Sequence, residues 1–134
     1  MTYMRTRKQR GFTLIELMIV ISIIFILIGM AVGAYQRSIW RAREAALKTD
    51  LQTMRNAIDN FTLDKQAAPQ SLEDLTSEKY LREIPVDPMT HAKDWVPQYE
   101  DVLLSPTQSG SGITDVHSAS TATSPFENTP YSSW

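Results

Sequence analysis

The chain contains no cysteine. That excludes a disulfide framework, a thiol nucleophile and a zinc–thiolate site, and it leaves the compartment undecided. Histidine is scarce: His91 lies in turn-like surroundings and His117 in Ser-rich ones. Neither stands in a metal-binding spacing or beside a serine–aspartate constellation, so both read as surface or structural residues. The five glycines form no phosphate-cradling loop. Asp87, Asp94, Glu100 and Asp101 gather near a strand candidate, and a solvated face suits them better than an acid–base pair. No catalytic residue is assigned, and the expectation is that the protein is not an enzyme. Outside the first residues acidic side chains outnumber basic ones. Of the 13 Lys and Arg, Arg5, Arg7, Lys8 and Arg10 precede residue 11, whereas all 15 Asp and Glu follow it. A mildly acidic body argues against a nucleic-acid partner.

What is present is unevenly placed. Hydrophobic residues make up 43% of the chain, and much of that fraction falls in residues 12–35. The remainder has a modest core, which needs help such as assembly. Residues 17–34 carry no formal charge, and only Ser22, Gly29 and Gly33 interrupt the large apolar side chains. A helix rises about 1.5 Å per residue, so roughly 20 residues cross the hydrocarbon core of a bilayer. This run is just long enough. The basic residues before it read as a positive-inside signal that keeps the N-terminus in the cytoplasm. Gly29 and Gly33 form a G-x-x-x-G pair of the kind that permits close helix approach, a weak signal by itself. A cleavable secretory signal ending at Ala31-Val32-Gly33 competes with the membrane helix. Against it, the apolar stretch is long, Glu16 lies inside its beginning, and the helical pattern continues downstream.

That continuation is an apolar stripe. Leu47, Leu51, Met54, Ile58 and Phe61 recur at spacings of 4, 3, 4 and 3, which places them on one helix face as ordinary core. No proline occurs before Pro69. A single helix from residue 14 to about residue 64 is expected, roughly 75 Å long. Ala67-Ala68-Pro69-Gln70 ends it. Ser71 and Asp74 have capping-box spacing, and a short helix over residues 72–80 follows. Pro85 and Pro88 bracket a turn. Residues 95–104 are a strand candidate that Pro97 confines to an edge or a late start, and residues 113–116 are a second. Residues 105–134 hold 15 Ser, Thr or Gly and three prolines, a flexible composition. Ile113, Val116, Phe126, Tyr131 and Trp134 would anchor it as an ordered loop with short strands. The fold expected is α+β: a long N-terminal helix, apolar in its first half, packed on a small domain with a short helix and a short antiparallel β region.

Gly11-Phe12-Thr13-Leu14-Ile15-Glu16-Leu17, after a short basic leader, closely resembles the class III signal of type IV pilins and pseudopilins. The resemblance implies that a membrane aspartyl prepilin peptidase cuts between Gly11 and Phe12 and methylates the new amine of Phe12. Glycine suits the cut because it leaves the backbone unhindered and disfavours helix. Farther along, Ile84-Pro85-Val86-Asp87-Pro88, Gly112-Ile113-Thr114-Asp115-Val116-His117-Ser118 and Pro130-Tyr131-Ser132-Ser133-Trp134 are similar to stretches of the major, G-type pseudopilin of type II secretion. The pilin-like fold implied has a cleaved leader (1–11), a transmembrane and assembly half-helix (12–35) and a periplasmic domain (36–134). The subunit implied is a homo-oligomeric filament component of the bacterial inner membrane and periplasm. Its partners are other pseudopilins, the prepilin peptidase and the inner-membrane secretion platform, and its role is protein export across the outer membrane.

Calcium-binding members of that family carry a further aspartate a few residues after the Asp-x-x-Ser unit. Here that region reads Ser118-Ala119-Ser120-Thr121-Ala122-Thr123. Calcium prefers six to eight hard oxygens, normally with carboxylates among them, so a site through Asp115, Ser118 and backbone carbonyls stays open at this point. The lack of cysteine tells against a typical disulfide-closed type IV pilin. A type IV pilus subunit and a signal-anchored monomer with a small extracytoplasmic binding domain are the alternatives. Glu16 remains the residue to explain: alone in a membrane span it costs roughly 2–3 kcal/mol on insertion scales. The resemblance implies that the cationic amine of a neighbour's Phe12 pairs with it.

Overall fold

The computed structural model describes residues 11–105 and 108–134, so the basic leader residues Arg5, Arg7, Lys8 and Arg10 lie outside the described residues. The fold divides into two compact units, Met1–Ile39 and Trp40–Trp134. The first helix, α1 (Leu14–Lys65), contributes to both.

In the first unit, residues 11–38 are all exposed. Ile, Val, Leu, Met and Phe point outward on every side of the helix, so no face is reserved for a core. A helix apolar all round suits a lipid or a bundle of other helices, where each backbone polar group must be satisfied within the segment. The hydroxyl of Ser22 obeys the same rule by donating to the Met18 carbonyl at 2.7 Å. Among the described residues, α1 is the helix long and apolar enough to cross a membrane. Gly29 and Gly33 face open space, with nothing within 4 Å of where a Cβ would stand.

In the second unit the predicted stripe is the core. Leu47, Leu51, Met54, Ile58 and Phe61 are all buried. Leu75, Leu81, Trp95, Ile113, Val116 and Tyr131 close over them. The helix ends after Lys65, where Gln66 takes a left-handed conformation with φ 52°. The second helix, α2 (Leu72–Ser77), is shorter than the expected 72–80. It stops because Lys79 turns left-handed at φ 64° and the N–H groups of Tyr80 and Leu81 wrap back onto the Leu75 carbonyl at 2.9 and 3.0 Å. The Asp74 carboxylate accepts the N–H groups of Ser71 and Gln70, each at 2.9 Å. These bonds, that from Ser71 foremost, hold Asp74 below the usual carboxylate range.

The hairpin strands β1 (Val96–Ser105) and β2 (Gln108–His117) pair antiparallel, with Pro97 opposite Val116. Among the described residues β1 has one neighbour, the edge position that tolerates proline. β2 runs well beyond the expected 113–116. Its first half, Gln108-Ser109-Gly110-Ser111-Gly112, has little strand propensity, and pairing with β1 overrides it.

Gly112 shows how tightly the hairpin meets the chain after α1. A Cβ there would stand 2.5 Å from the Ala68 Cβ and 3.0 Å from the Ala68 carbonyl carbon and oxygen. The neighbouring Ile113 N–H donates to the Pro69 carbonyl at 2.8 Å, which fixes the backbone on both sides. Gly112→Ala is therefore an overpacking change expected to cost about 1–3 kcal/mol. Denaturant unfolding of the two chains side by side checks it, and equal midpoints would contradict this packing.

The final segment, 118–134, is ordered as a loop. Thr123 bridges Pro130, and a 3-10 turn, Tyr131–Ser133, follows. Asn128, left-handed at φ 55°, turns the loop while its N–H donates to the Ser124 carbonyl at 3.1 Å.

Candidate functional site

Two groups of residues carry the chemistry singled out in the sequence. The first is the start of α1. Residues 11–13 are not helical, a Cβ on Gly11 would meet nothing within 4 Å, and Phe12 is 93% exposed. The Gly11–Phe12 bond thus lies in open, non-helical backbone two residues ahead of the helix. Thr13 is what holds the helix back. Its N–H and hydroxyl donate to Glu16 Oε2 at 2.8 and 3.0 Å, and its Oγ1 accepts the Glu16 N–H at 3.3 Å. This reciprocal pattern is a capping box. Sequence reasoning applied that rule at Ser71 and missed it at Thr13, although Thr13-x-x-Glu16 has the same spacing. Glu16 therefore has a partner within its own chain, and the full cost of a lone carboxylate does not apply to it.

The second group is a charged stripe on α1 that continues the apolar one. Glu44 lies three residues before Leu47 and is 7% exposed. Its Oε1 accepts the hydroxyls of Ser124 at 2.6 Å and Tyr131 at 2.8 Å. The exposed Lys48 pairs with Glu127 and stands 4.6 Å from the centre of the Trp134 ring. Arg55 donates through Nε to Asp115 Oδ1 at 2.5 Å. Its Nη2 reaches the backbone oxygens of Val116 at 3.1 Å and Trp134 at 3.0 Å. His117 reaches the same terminal oxygen and ties it to β1: its Nδ1 lies 2.6 Å from the Trp134 oxygen and its Nε2 3.0 Å from Gln98 Oε1. It is a structural residue, in keeping with the expectation for it. Glu44 and Arg55 escaped sequence reasoning because polar residues on an amphipathic helix read as its solvated face. The signal for Glu44 was its register, one step up the 3-4 stripe.

Asp87 corrects another expectation. It is buried, at 0% exposed, and so does not belong to the solvated face formed by Asp94, Glu100 and Asp101. Its Oδ1 accepts the Met89 N–H at 2.7 Å, and its Oδ2 accepts the Ser118 hydroxyl at 2.5 Å. Its backbone holds the turn as well, donating to the Ala92 carbonyl at 2.9 Å and accepting the His91 N–H at 2.8 Å.

These contacts also test the calcium site considered for Asp115 and Ser118. The structure sends the two residues to different partners. Arg55 and the Val116 N–H, at 2.7 Å, both occupy Asp115 Oδ1. Ser118 Oγ is buried, donates to Asp87 and accepts the Ser120 N–H at 3.2 Å. Among the described residues no three His, Asp or Glu side chains gather as metal ligands. The residues present do not fit calcium, which needs several free hard oxygens around one point.

Tyr131 gives this region a pH signature. Burial, and then its hydrogen bond to Glu44 and the charge of that carboxylate, push its phenol up to about 12. A raised folded value means that the contribution to stability is complete below the ordinary tyrosine value of about 10. It is lost as the pH rises through about 12. Phenolate absorbance is expected to show a late-titrating step that disappears in Tyr131→Phe. Loss in Tyr131→Phe of a phenol that titrates at the ordinary value of about 10 would contradict the buried Tyr131–Glu44 contact.

Comparison with known proteins finds a motif that spans the first group. Residues 6–32 match the family model described as the prokaryotic N-terminal methylation motif. The type II secretion system core protein G of Escherichia coli (strain K12) is 32% identical over 122 residues, covering 79% of each chain. That of Klebsiella pneumoniae is 30% identical over 144 residues, covering 96% of each. The type IV major fimbrial protein FimA of Dichelobacter nodosus is 45% identical over 60 residues, which is 45% of this chain and 38% of the relative. No solved structure is a significant match. Likeness to the core G proteins runs through the signal, the helix and the domain behind it, so this chain belongs to the type II secretion system core protein G family, the pseudopilins.

Proposed function

We propose that the chain is made as a precursor, cut between Gly11 and Phe12 by a membrane prepilin peptidase and methylated on the Phe12 amine, and then assembled into a pseudopilus that supports protein export. The observation that carries this reading is the start of α1: an open Gly11–Phe12 bond, a helix held back by Thr13, and an apolar half-helix exposed on every side. In this reading residues 1–11 are the leader, 12–35 cross the inner membrane and later line the filament, and 36–134 face the periplasm. The subunit is structural, not catalytic. Its partners are further copies of itself, other pseudopilins, the peptidase and the inner-membrane secretion platform. Head-to-tail contacts that do not close produce an open helical filament.

Glu16 takes two partners in turn. In the precursor it caps its own helix through Thr13. After the cut it pairs with the amine of a neighbour's Phe12, which offsets the burial of both charges in a dry bundle. A type IV pilus subunit is the nearest second reading, and the match to FimA, though high in identity, covers less than half of the chain. The mass of the mature protein tests the proposal. Loss of residues 1–11 with gain of one methyl group is expected. An intact N-terminus would overturn it and favour a signal-anchored monomer.

A further inference from the structure

We infer that this chain fastens its C-terminal segment with its own side chains, Arg55 serving as the cation and Glu44 as the anion, and that its fold is indifferent to calcium. The inference departs from the calcium-binding members of the family and does not depend on whether the chain forms filaments. Arg55 gathers three oxygens from two stretches of chain: the side-chain Oδ1 of Asp115, the Val116 carbonyl and the Trp134 backbone oxygen, at 2.5–3.1 Å. A guanidinium offers five donors in a rigid plane and stays charged at any ordinary pH. It can therefore hold oxygens that a metal ion would otherwise gather, and its positive charge repels a second cation from the same carboxylate.

Three turns up the same helix, Glu44 does the complementary work. Its buried Oε1 accepts the hydroxyls of Ser124 and Tyr131, which flank the turn at Asn128. Ser124 Oγ in turn accepts the N–H groups of Phe126 at 3.2 Å and Glu127 at 3.0 Å. One carboxylate thus orders both sides of the loop. Asp87 does the same at the loop's beginning through Ser118. Among the described residues no buried side-chain nitrogen or oxygen lacks a hydrogen-bond partner. The segment's buried side-chain polar atoms are satisfied from within, and a metal ion binding them would have to displace an existing partner.

The test is thermal unfolding of the purified full chain in detergent, with calcium and with a calcium chelator. A ligand that binds only the folded state raises its midpoint by mass action, by several degrees at a concentration well above its dissociation constant. The wild-type midpoint is expected to be the same in both solutions. Arg55→Ala and Glu44→Ala are expected to lower it by several degrees, equally in both, with earlier proteolytic loss of the 118–134 segment. A wild-type midpoint that rises in calcium overturns the inference, and this comparison decides even if either variant fails to fold. Arg55→Ala or Glu44→Ala chains as stable and protease-resistant as wild type also overturn it.

Discussion

Glu16→Ala is expected to be cut after Gly11 as efficiently as wild type and to yield no filaments. The substitution removes a carboxylate from the apolar half of α1, so insertion of a single subunit becomes no harder. In the pairing proposed above, it leaves the neighbouring Phe12 amine charged and without a partner inside a packed bundle. Breaking a buried pair in this way costs about 3–5 kcal/mol, repeated at every subunit contact. Because Glu16 also caps its own helix, loss of the cap is a competing explanation, and Glu16→Gln separates the two. A glutamine serves a capping box as well as a glutamate does but carries no charge. If charge pairing drives docking, Glu16→Gln is processed and fails to assemble, like Glu16→Ala. Filaments from Glu16→Gln in wild-type amounts would assign the residue to capping alone.

Gly11→Val is expected to abolish processing, leaving the chain in the membrane with residues 1–11 attached. The reason is local. The bond proposed for cleavage lies in non-helical backbone, nothing crowds Gly11, and α1 begins only at Leu14. A protease must approach the backbone of Gly11 closely, and a β-branched side chain obstructs that approach while leaving the rest of the chain untouched. Intact mass of the membrane fraction reads the result directly. Normal cleavage of Gly11→Val would remove the Gly11–Phe12 assignment.

The α1 helix was legible because its signals are periodic and long: no proline before Pro69, an apolar run long enough to cross a bilayer, then Leu47, Leu51, Met54, Ile58 and Phe61 in one register. The hairpin was legible only in part. Trp95 to Leu104 is rich in strand formers, whereas Gly112 in β2 is there for fit, because Ala68 presses against it. That requirement comes from a residue over forty positions away and leaves no local trace. The same holds for the polar contacts. Glu44 to Ser124 and Arg55 to Asp115 join residues 80 and 60 positions apart, so a carboxylate on a helix reads as solvated until the fold places a hydroxyl against it. The Thr13–Glu16 box is the opposite case, a local signal between residues three positions apart that the charge of Glu16 obscured.

The central claim is that this chain builds a filament through the first turn of α1. Electron microscopy of cells producing the wild-type chain together with a matching secretion apparatus tests it most directly, with antibodies against the 40–134 unit to identify the subunit. The account predicts short filaments that the antibody decorates, present for wild type and absent for Glu16→Ala. A processed wild-type chain that stays in the membrane as a monomer, with no decorated filaments, would contradict it.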